Sequence, residues 1–234
     1  MQSDLPKVLH PVCKRPMLAY VIDACQQAGC ERLICVVGHR AELVQQSFGH
    51  LNHNASWVLQ QPQLGTGHAV MVCRQQLGQL DGPVLVLAGD GPLIRSQTLR
   101  QLIDTHTASR AACTLATSIL DDPAKYGRIV RDGRGELTGI VEALDAKPEQ
   151  LKIREVNVSL YCFDAKALLG VLDKLTNTNA KGEYYLTDAL GLLARAGGKL
   201  AAVPAVPAQD VLSVNTLTEL AAVETIMQQR GGQA

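Results

Sequence analysis

With 234 residues, 47% of them apolar, the chain can bury one large α/β core, and no composition shift marks a linker, so a single domain over 1–234 is expected. Lys plus Arg equals Asp plus Glu at 22 each, which excludes a global field that would draw the chain to nucleic acid or an anionic membrane. Its apolar runs stay below the roughly 20 residues of a spanning helix, residues 1–30 lack a signal-peptide pattern, and seven cysteines without an export signal predict free thiols in the cytoplasm.

The opening "MQSDLPKVLH" offers no strand and no glycine loop, and sets Lys7 behind a proline. "PMLAYVIDACQQAG" predicts the first helix, with Pro16 at its start and Gly29 at its end. "RLICVVG" (32–38) reads as a strand and 41–48 as a helix; "SWVLQQ" (56–61) is the next strand, followed by a helix near 68–79. "PVLVLAGD" (83–90) and "ACTLATSI" (112–119) flank a helix over 96–108. "RIVRDGRGELTGIVE" is two runs joined by Asp132-Gly133-Arg134-Gly135, a hairpin inserted into the alternating order as a small lobe. "NVSLYCF" (157–163) is the last clear strand, helices follow near 164–175, 187–196 and 216–229, and "AAVPAVPAQ" (201–209) is an edge segment or a loop. Runs that are apolar throughout indicate strands covered on both faces, hence a doubly wound, mainly parallel sheet. Ligands of such sheets sit beyond the carboxyl ends of the strands, which singles out Gly38, Gln60, Asp90 and Asn157.

Cys25, Cys30 and Cys35 recur at five-residue intervals, a spacing that suits buried thiols better than a zinc site. In "VLVLAGDGPLI" a buried strand delivers Asp90 to the top of the sheet, either as a hard-cation ligand or as a turn or cap before the helix near Ser96. Gly65-Thr66-Gly67 in "QQPQLGTGHAV" leads into a helix whose N–H groups suit an anion or a base edge; a tight strand-to-helix turn reads the same way. Lys7 is a point charge for a phosphate or an ordinary surface lysine. Neither a G-x-x-x-x-G-K-[ST] loop nor a G-x-S-x-G elbow occurs, which excludes a P-loop cradle and the commonest esterase site.

The strings "SDLPKVLHP", "WVLQQPQLGTGHA", "GDGPLI", "DDPAKYGRIVRD", "GIVEALDA", "REVNVSLYCFD", "NAKGEYYLTD" and "SVN", in this order from about Ser3 to Leu220, resemble the bacterial N-acetylglucosamine-1-phosphate uridylyltransferases. The resemblance implies an α/β fold of the nucleotide-diphospho-sugar transferase type, Rossmann-like. It also implies transfer of UMP from UTP to N-acetylglucosamine 1-phosphate with release of pyrophosphate. It implies Mg2+ on Asp90 and Asn215, and Lys7 on the phosphates. Gln60, Gly65 and Thr66 fall on the uracil segment, and Gly127, Glu142 and Asn157 on the sugar-phosphate site, with Tyr185 and Thr187 beside them. No general base is needed, because the attacking phosphate oxygen is ionised at neutral pH.

Members of that family begin with a buried strand and a loop of the form L-A-A-G-x-G-T-R-M ahead of x-S-x-L-P-K. Met1 falls on the last position of that loop. The likeness therefore implies that the first strand, the glycines and the arginine are missing, that two inner strands keep unpaired edges, and that activity is reduced. The hexapeptide-repeat acetyltransferase part of the bifunctional enzymes is likewise expected to be absent, so acetyl transfer is not expected. Ala88, Gly91 and Ser159 stand where the family has an aromatic residue, an apolar residue and a glycine. The alternatives are a related sugar-phosphate nucleotidyltransferase of different specificity, or a non-catalytic sugar-nucleotide-binding module.

Overall fold

The computed structural model describes residues 4–231, without the side chains of 52–54. Met1 and Ser3, where the likeness begins, lie outside the described residues. A short 3-10 turn at Lys7–Leu9 leads to a two-stranded ladder of β1 (Pro11–Val12) and β2 (Arg15–Pro16), and α1 (Met17–Gln27) follows directly after Pro16. β3 (Leu33–Val37) and β4 (Ala55–Leu59) run parallel with α2 (Ala41–Ser47) between them. The single helix expected over 68–79 is two, α3 (Thr66–Met71) and α4 (Arg74–Leu77), because Cys73 N–H turns back to Val70 O at 3.0 Å, a tighter bond than the helix uses. β5 (Pro83–Leu87), α5 (Ser96–Ser109), β6 (Cys113–Ile119), β7 (Arg128–Arg131), β8 (Leu137–Val141), α6 (Pro148–Leu151) and β9 (Glu155–Asp164) come next. α7 (Ala165–Leu172) is capped by the Asp164 carboxylate, which accepts Ala167 N–H at 2.8 Å, and α8 (Asp188–Arg195), β10 (Leu200–Val203) and α9 (Leu217–Gly231) close the chain.

β9 organises the sheet. Along one side it pairs with β6; on the other its second half pairs with β5 and its first half meets β7, whose far side carries β8. β10 pairs in parallel on the outer edge of β6. The α/β class stands, and of the mainly parallel pairing expected, β3–β4 and β6–β10 are parallel, but β9 is antiparallel to β5, β6 and β7, so the sheet is mixed. A strand covered on both faces is apolar whichever way it runs, and the composition of β9 carries no direction. The hairpin is β7–β8, closed by the Asp132 carboxylate accepting N–H from Arg134 and Glu136 at 2.8 and 3.0 Å, and it extends the sheet rather than standing apart. The Pro-rich segment contributes β10, an edge strand.

The largest core cluster joins β6, β9, α7 and α8 through Leu115, Phe163, Leu168 and Leu190, all fully buried. Ile34, Val36, Val84 and Val86 pack against it, while Leu33, Leu85 and Leu87 pack on the opposite cluster around Ala24, Cys25 and Leu99. β3 and β5 thus share both faces of one layer, yet among the described residues β3 pairs only with β4 and β5 only with β9. Their apolar side chains stay half-buried, a pair of open inner edges.

Where β9 passes from β5 to β7 its register with β6 shifts between Leu115 and Thr117, and Ser159 adopts a left-handed φ of 56°. Its N–H is held by the Asn157 side-chain oxygen at 3.1 Å. A Cβ in this region costs about 1–2 kcal/mol, offset in part by the greater unfolded freedom of glycine. Ser159→Gly is therefore expected to stabilise the chain by about 0.5–1 kcal/mol in urea unfolding; an unchanged or lowered midpoint would show that the turn carries no strain.

Candidate active site

Three segments meet at the carboxyl end of β5. The chain leaves β5 through Ala88-Gly89 and presents Asp90, whose neighbour Leu93 is anchored in a cluster with Val12, Met17, Val214 and Val223. The same cluster fixes the segment before α9, and Val214 N–H donates to Asp90 O at 3.1 Å, which sets Asn215 beside Asp90. Lys7, on the 3-10 turn secured by buried Leu9, completes the group: its ammonium pairs with the Asp90 carboxylate and donates to the Asn215 amide oxygen at 2.6 Å. Residues separated by 83 and 208 positions thus share one cation.

Asn215 is held from behind. Thr216 and Glu219 form a capping box at the start of α9: the Thr216 hydroxyl accepts Glu219 N–H at 3.1 Å, and the Glu219 carboxylate accepts the N–H groups of Asn215 and Thr216 at 2.7 and 2.9 Å. Lys125 donates to the same carboxylate at 2.9 Å. Upstream, Asp210, buried to 3% exposure, accepts from Arg95 and Arg230 and pins the segment to α5 and α9.

Gln60 extends the β3–β4 ladder through its N–H to Val37 O at 2.8 Å, and its side-chain amide donates to Gly65 O at 2.9 Å and meets His68 Nδ1 at 3.2 Å. Gly65, at φ 107°, and the residues after it lie against Tyr184: a Cβ on Gly65 would stand 2.7 Å from Tyr184 O. Gly67 N–H is committed to that same oxygen at 2.7 Å, and the Thr66 hydroxyl accepts Leu186 N–H at 3.1 Å. α3 has only six residues and part of its N-terminus is already bonded within the chain, so the turn at Gly65–Gly67 is rigid.

Gly127, Glu142, Asn157, Tyr185 and Thr187 also converge. Asn157 N–H donates to Gly127 O at 2.9 Å, and a Cβ on Gly127 would meet Ile140 at 2.9 Å and the Glu142 carboxylate at 3.4 Å. The Thr187 hydroxyl donates to Glu142 at 3.0 Å; burial pushes the Glu142 carboxyl above its ordinary range, and the Thr187 bond partly opposes that shift. Asn157 donates to the Tyr161 hydroxyl at 2.7 Å, and Tyr185 is buried next to Leu186, which the Thr66 hydroxyl holds. The segment 184–187 ties this group to the Gly65 turn, and Lys125, two residues before Gly127, reaches the Glu219 carboxylate that also accepts Asn215 N–H. A cleft of about 370 Å³ lined by Val130, Ile140, Leu175 and Arg195 reaches Thr187. Glu219 and Lys125 were not singled out in the sequence; Thr216-x-x-Glu219 ahead of an apolar run was the available signal for Glu219.

The profile of the nucleotidyl transferase family matches residues 2–223, and the chain belongs to that family. Among curated proteins it is 44% identical over 230 residues to the bifunctional protein GlmU of Clostridium acetobutylicum, covering 98% of this chain and 50% of that protein. Against bifunctional protein GlmU of Caldanaerobacter subterraneus subsp. tengcongensis and of Heliobacterium modesticaldum the identities are 43% and 44%, with 98% of this chain and 49% and 50% of theirs covered. The chain thus spans about half the length of the curated relatives it matches. Among solved structures, apo UDP-glucose pyrophosphorylase superposes with a TM-score of 0.78 at 19% identity, covering 97% of this chain and 92% of that one. Its counterpart complexed with UDP-glucose gives 0.78 at 18% identity, with 97% and 91% covered. These likenesses establish the nucleotide-diphospho-sugar transferase fold.

The Lys125 hydrogen bond, opposed by desolvation and aided by the backbone N–H bonds, lowers the Glu219 carboxyl from its usual 4.5 to about 2. A depressed carboxylate contributes stability that is full above 4.5 and is lost as pH falls toward about 2. The stability difference between wild type and Glu219→Gln is therefore expected to be largest near neutrality and to vanish toward that lower limit. A difference independent of pH in urea unfolding would contradict the assignment.

Proposed function

We propose that the chain is a uridylyltransferase domain, 1–234 acting as one unit, that transfers UMP from UTP to N-acetylglucosamine 1-phosphate and releases pyrophosphate in the cytoplasm. The observation that carries this reading is the convergence of Lys7, Asp90 and Asn215. The motif resemblance supports the nucleotide and the sugar, and the 44% identity to bifunctional protein GlmU supports the kinship. Among the described residues no helix is long and apolar enough to cross a membrane, and all seven cysteines are free.

The donor set suits a hard divalent cation: one carboxylate and one amide oxygen leave most of the shell to water and phosphate, the pattern Mg2+ prefers, and an ammonium already draws both oxygens to a common point. Asp90 and Asn215 would hold it. Mg2+ supplies neutralisation of charge on the phosphate oxygens. The remaining work falls to the chain. Lys7 leaves its carboxylate to pair with a phosphate oxygen, so a positive charge follows the charge that builds up in the transition state. Gln60 and Gly65, bonded to each other, and Thr66, held by Leu186 N–H, form a preformed edge for the uracil ring. Gly127 lets Ile140 and Glu142 close against the backbone, while Glu142, Asn157, Tyr185 and Thr187 orient the sugar phosphate for in-line attack on the α-phosphorus. The attacking oxygen is already ionised, so no base is required.

Pyrophosphate release from UTP, N-acetylglucosamine 1-phosphate and Mg2+ tests the proposal, run beside glucose 1-phosphate and other nucleoside triphosphates. Asp90→Ala and Asn215→Ala are expected to lower turnover by about 10²-fold or more with circular dichroism unchanged. Full turnover in both variants, or no release by the wild-type chain with this pair, would overturn the reading.

A further inference from the structure

The carboxyl end of α1 carries a feature that the proposed function does not use. Ala28 caps the helix, Gly29 follows at φ 97°, Gly29 N–H donates to Gln26 O at 3.0 Å, and Cys30 N–H donates to Cys25 O at 3.0 Å. Such paired bonds define the Schellman motif, in which the residue after the glycine folds back onto the one three before the cap. Here both of those residues are cysteines.

We propose that Cys25 and Cys30 form a reversible dithiol–disulfide site at the end of α1, oxidised by peroxide. A disulfide joins Cα atoms about 4.4–6.8 Å apart with converging Cβ atoms, and the Cys30 N–H bond to Cys25 O closes a six-residue backbone ring that brings positions 25 and 30 side by side. The two thiols are hydrogen-bonded to each other. Cys25 is 6% exposed and keeps its proton, since that bond and burial raise it above the ordinary thiol range. Cys30 is half-buried, within reach of solvent, and accepting the bond lowers it. Nucleophile and resolving thiol are thereby distinguished.

Cys30 thiolate attacks one peroxide oxygen: an S–O bond forms, the O–O bond breaks, and the departing hydroxide takes a proton to become water. Cys25 sulfur then attacks the Cys30 sulfenic acid: the S–S bond forms, the S–O bond breaks, and hydroxide leaves as water with the Cys25 proton. Two thiols and one peroxide thus give a disulfide and two waters; an external dithiol reduces that disulfide back to two thiols by exchange through a mixed disulfide, and leaves as its own disulfide. Among the described residues no group of three or more His, Cys, Asp or Glu is placed to hold a metal, which favours redox chemistry over metal binding at these thiols. Cys25 belongs to the cluster on which Leu85 and Leu87 of β5 pack, so the site lies beneath the strand that leads to Asp90.

The test is hydrogen peroxide on the folded wild-type chain, followed by iodoacetamide and trypsin without reductant. Arg15 precedes proline and the next basic residue is Arg32, so residues 15–32 form one tryptic peptide holding both thiols. That peptide is expected two hydrogens lighter and unalkylated, to regain both alkylation sites after dithiothreitol, and to lose the effect in Cys30→Ser, with Cys35→Ser behaving as wild type. Alkylation of both thiols after peroxide, or a disulfide joining either one to a different peptide, would overturn the proposal.

Discussion

The ammonium of Lys7, shared between the Asp90 carboxylate and the Asn215 amide, is the contact on which the rest of the site depends. Two oxygens from distant parts of the chain are drawn together by a positive charge supplied by the chain itself, in a setting partly open to water. An ion pair at this degree of exposure is worth little on its own. Its geometry comes from elsewhere: from Leu93 and Val214 in one buried cluster, from the backbone bond between Val214 and Asp90, and from the capping box that fixes Asn215. Packing places the atoms, and electrostatics decides what they attract.

The sheet explains why the site gathers where it does. β9 changes partners from β5 to β7, and the bend at Ser159 separates the end of β5 from the start of β7. Asp90 emerges on one side of that divide, Gly127, Glu142 and Asn157 on the other, and the segment 184–187 bridges to the Gly65 turn. The open edges of β3 and β5 lie in the same layer, and β5 leads directly to Asp90.

What the sequence disclosed follows from the range of the interactions involved. Asp90 was legible because an apolar run ending in Gly-Asp-Gly-Pro is a local signal, and Pro16 and Gly29 bounded α1 for the same reason. Asn215 carries no local mark of a ligand: its partners lie 125 and 208 positions away, and only the likeness to a family pointed to it. The direction of β9 was hidden because burial on both faces erases alternation. The break between α3 and α4 turns on one backbone bond at Cys73, which no propensity records. Gln60 and Thr66 were marked as recognition residues, and their bonds to Gly65 and Leu186 add a bracing role visible only once the chain is folded.

If Lys7 stands where a divalent cation would otherwise draw Asp90 and Asn215 together, removing the ammonium frees that place. Mn2+ binding measured by electron paramagnetic resonance, without nucleotide, tests this most directly: the account predicts tighter binding by Lys7→Ala than by the wild-type chain. Equal or weaker binding by the variant would contradict it.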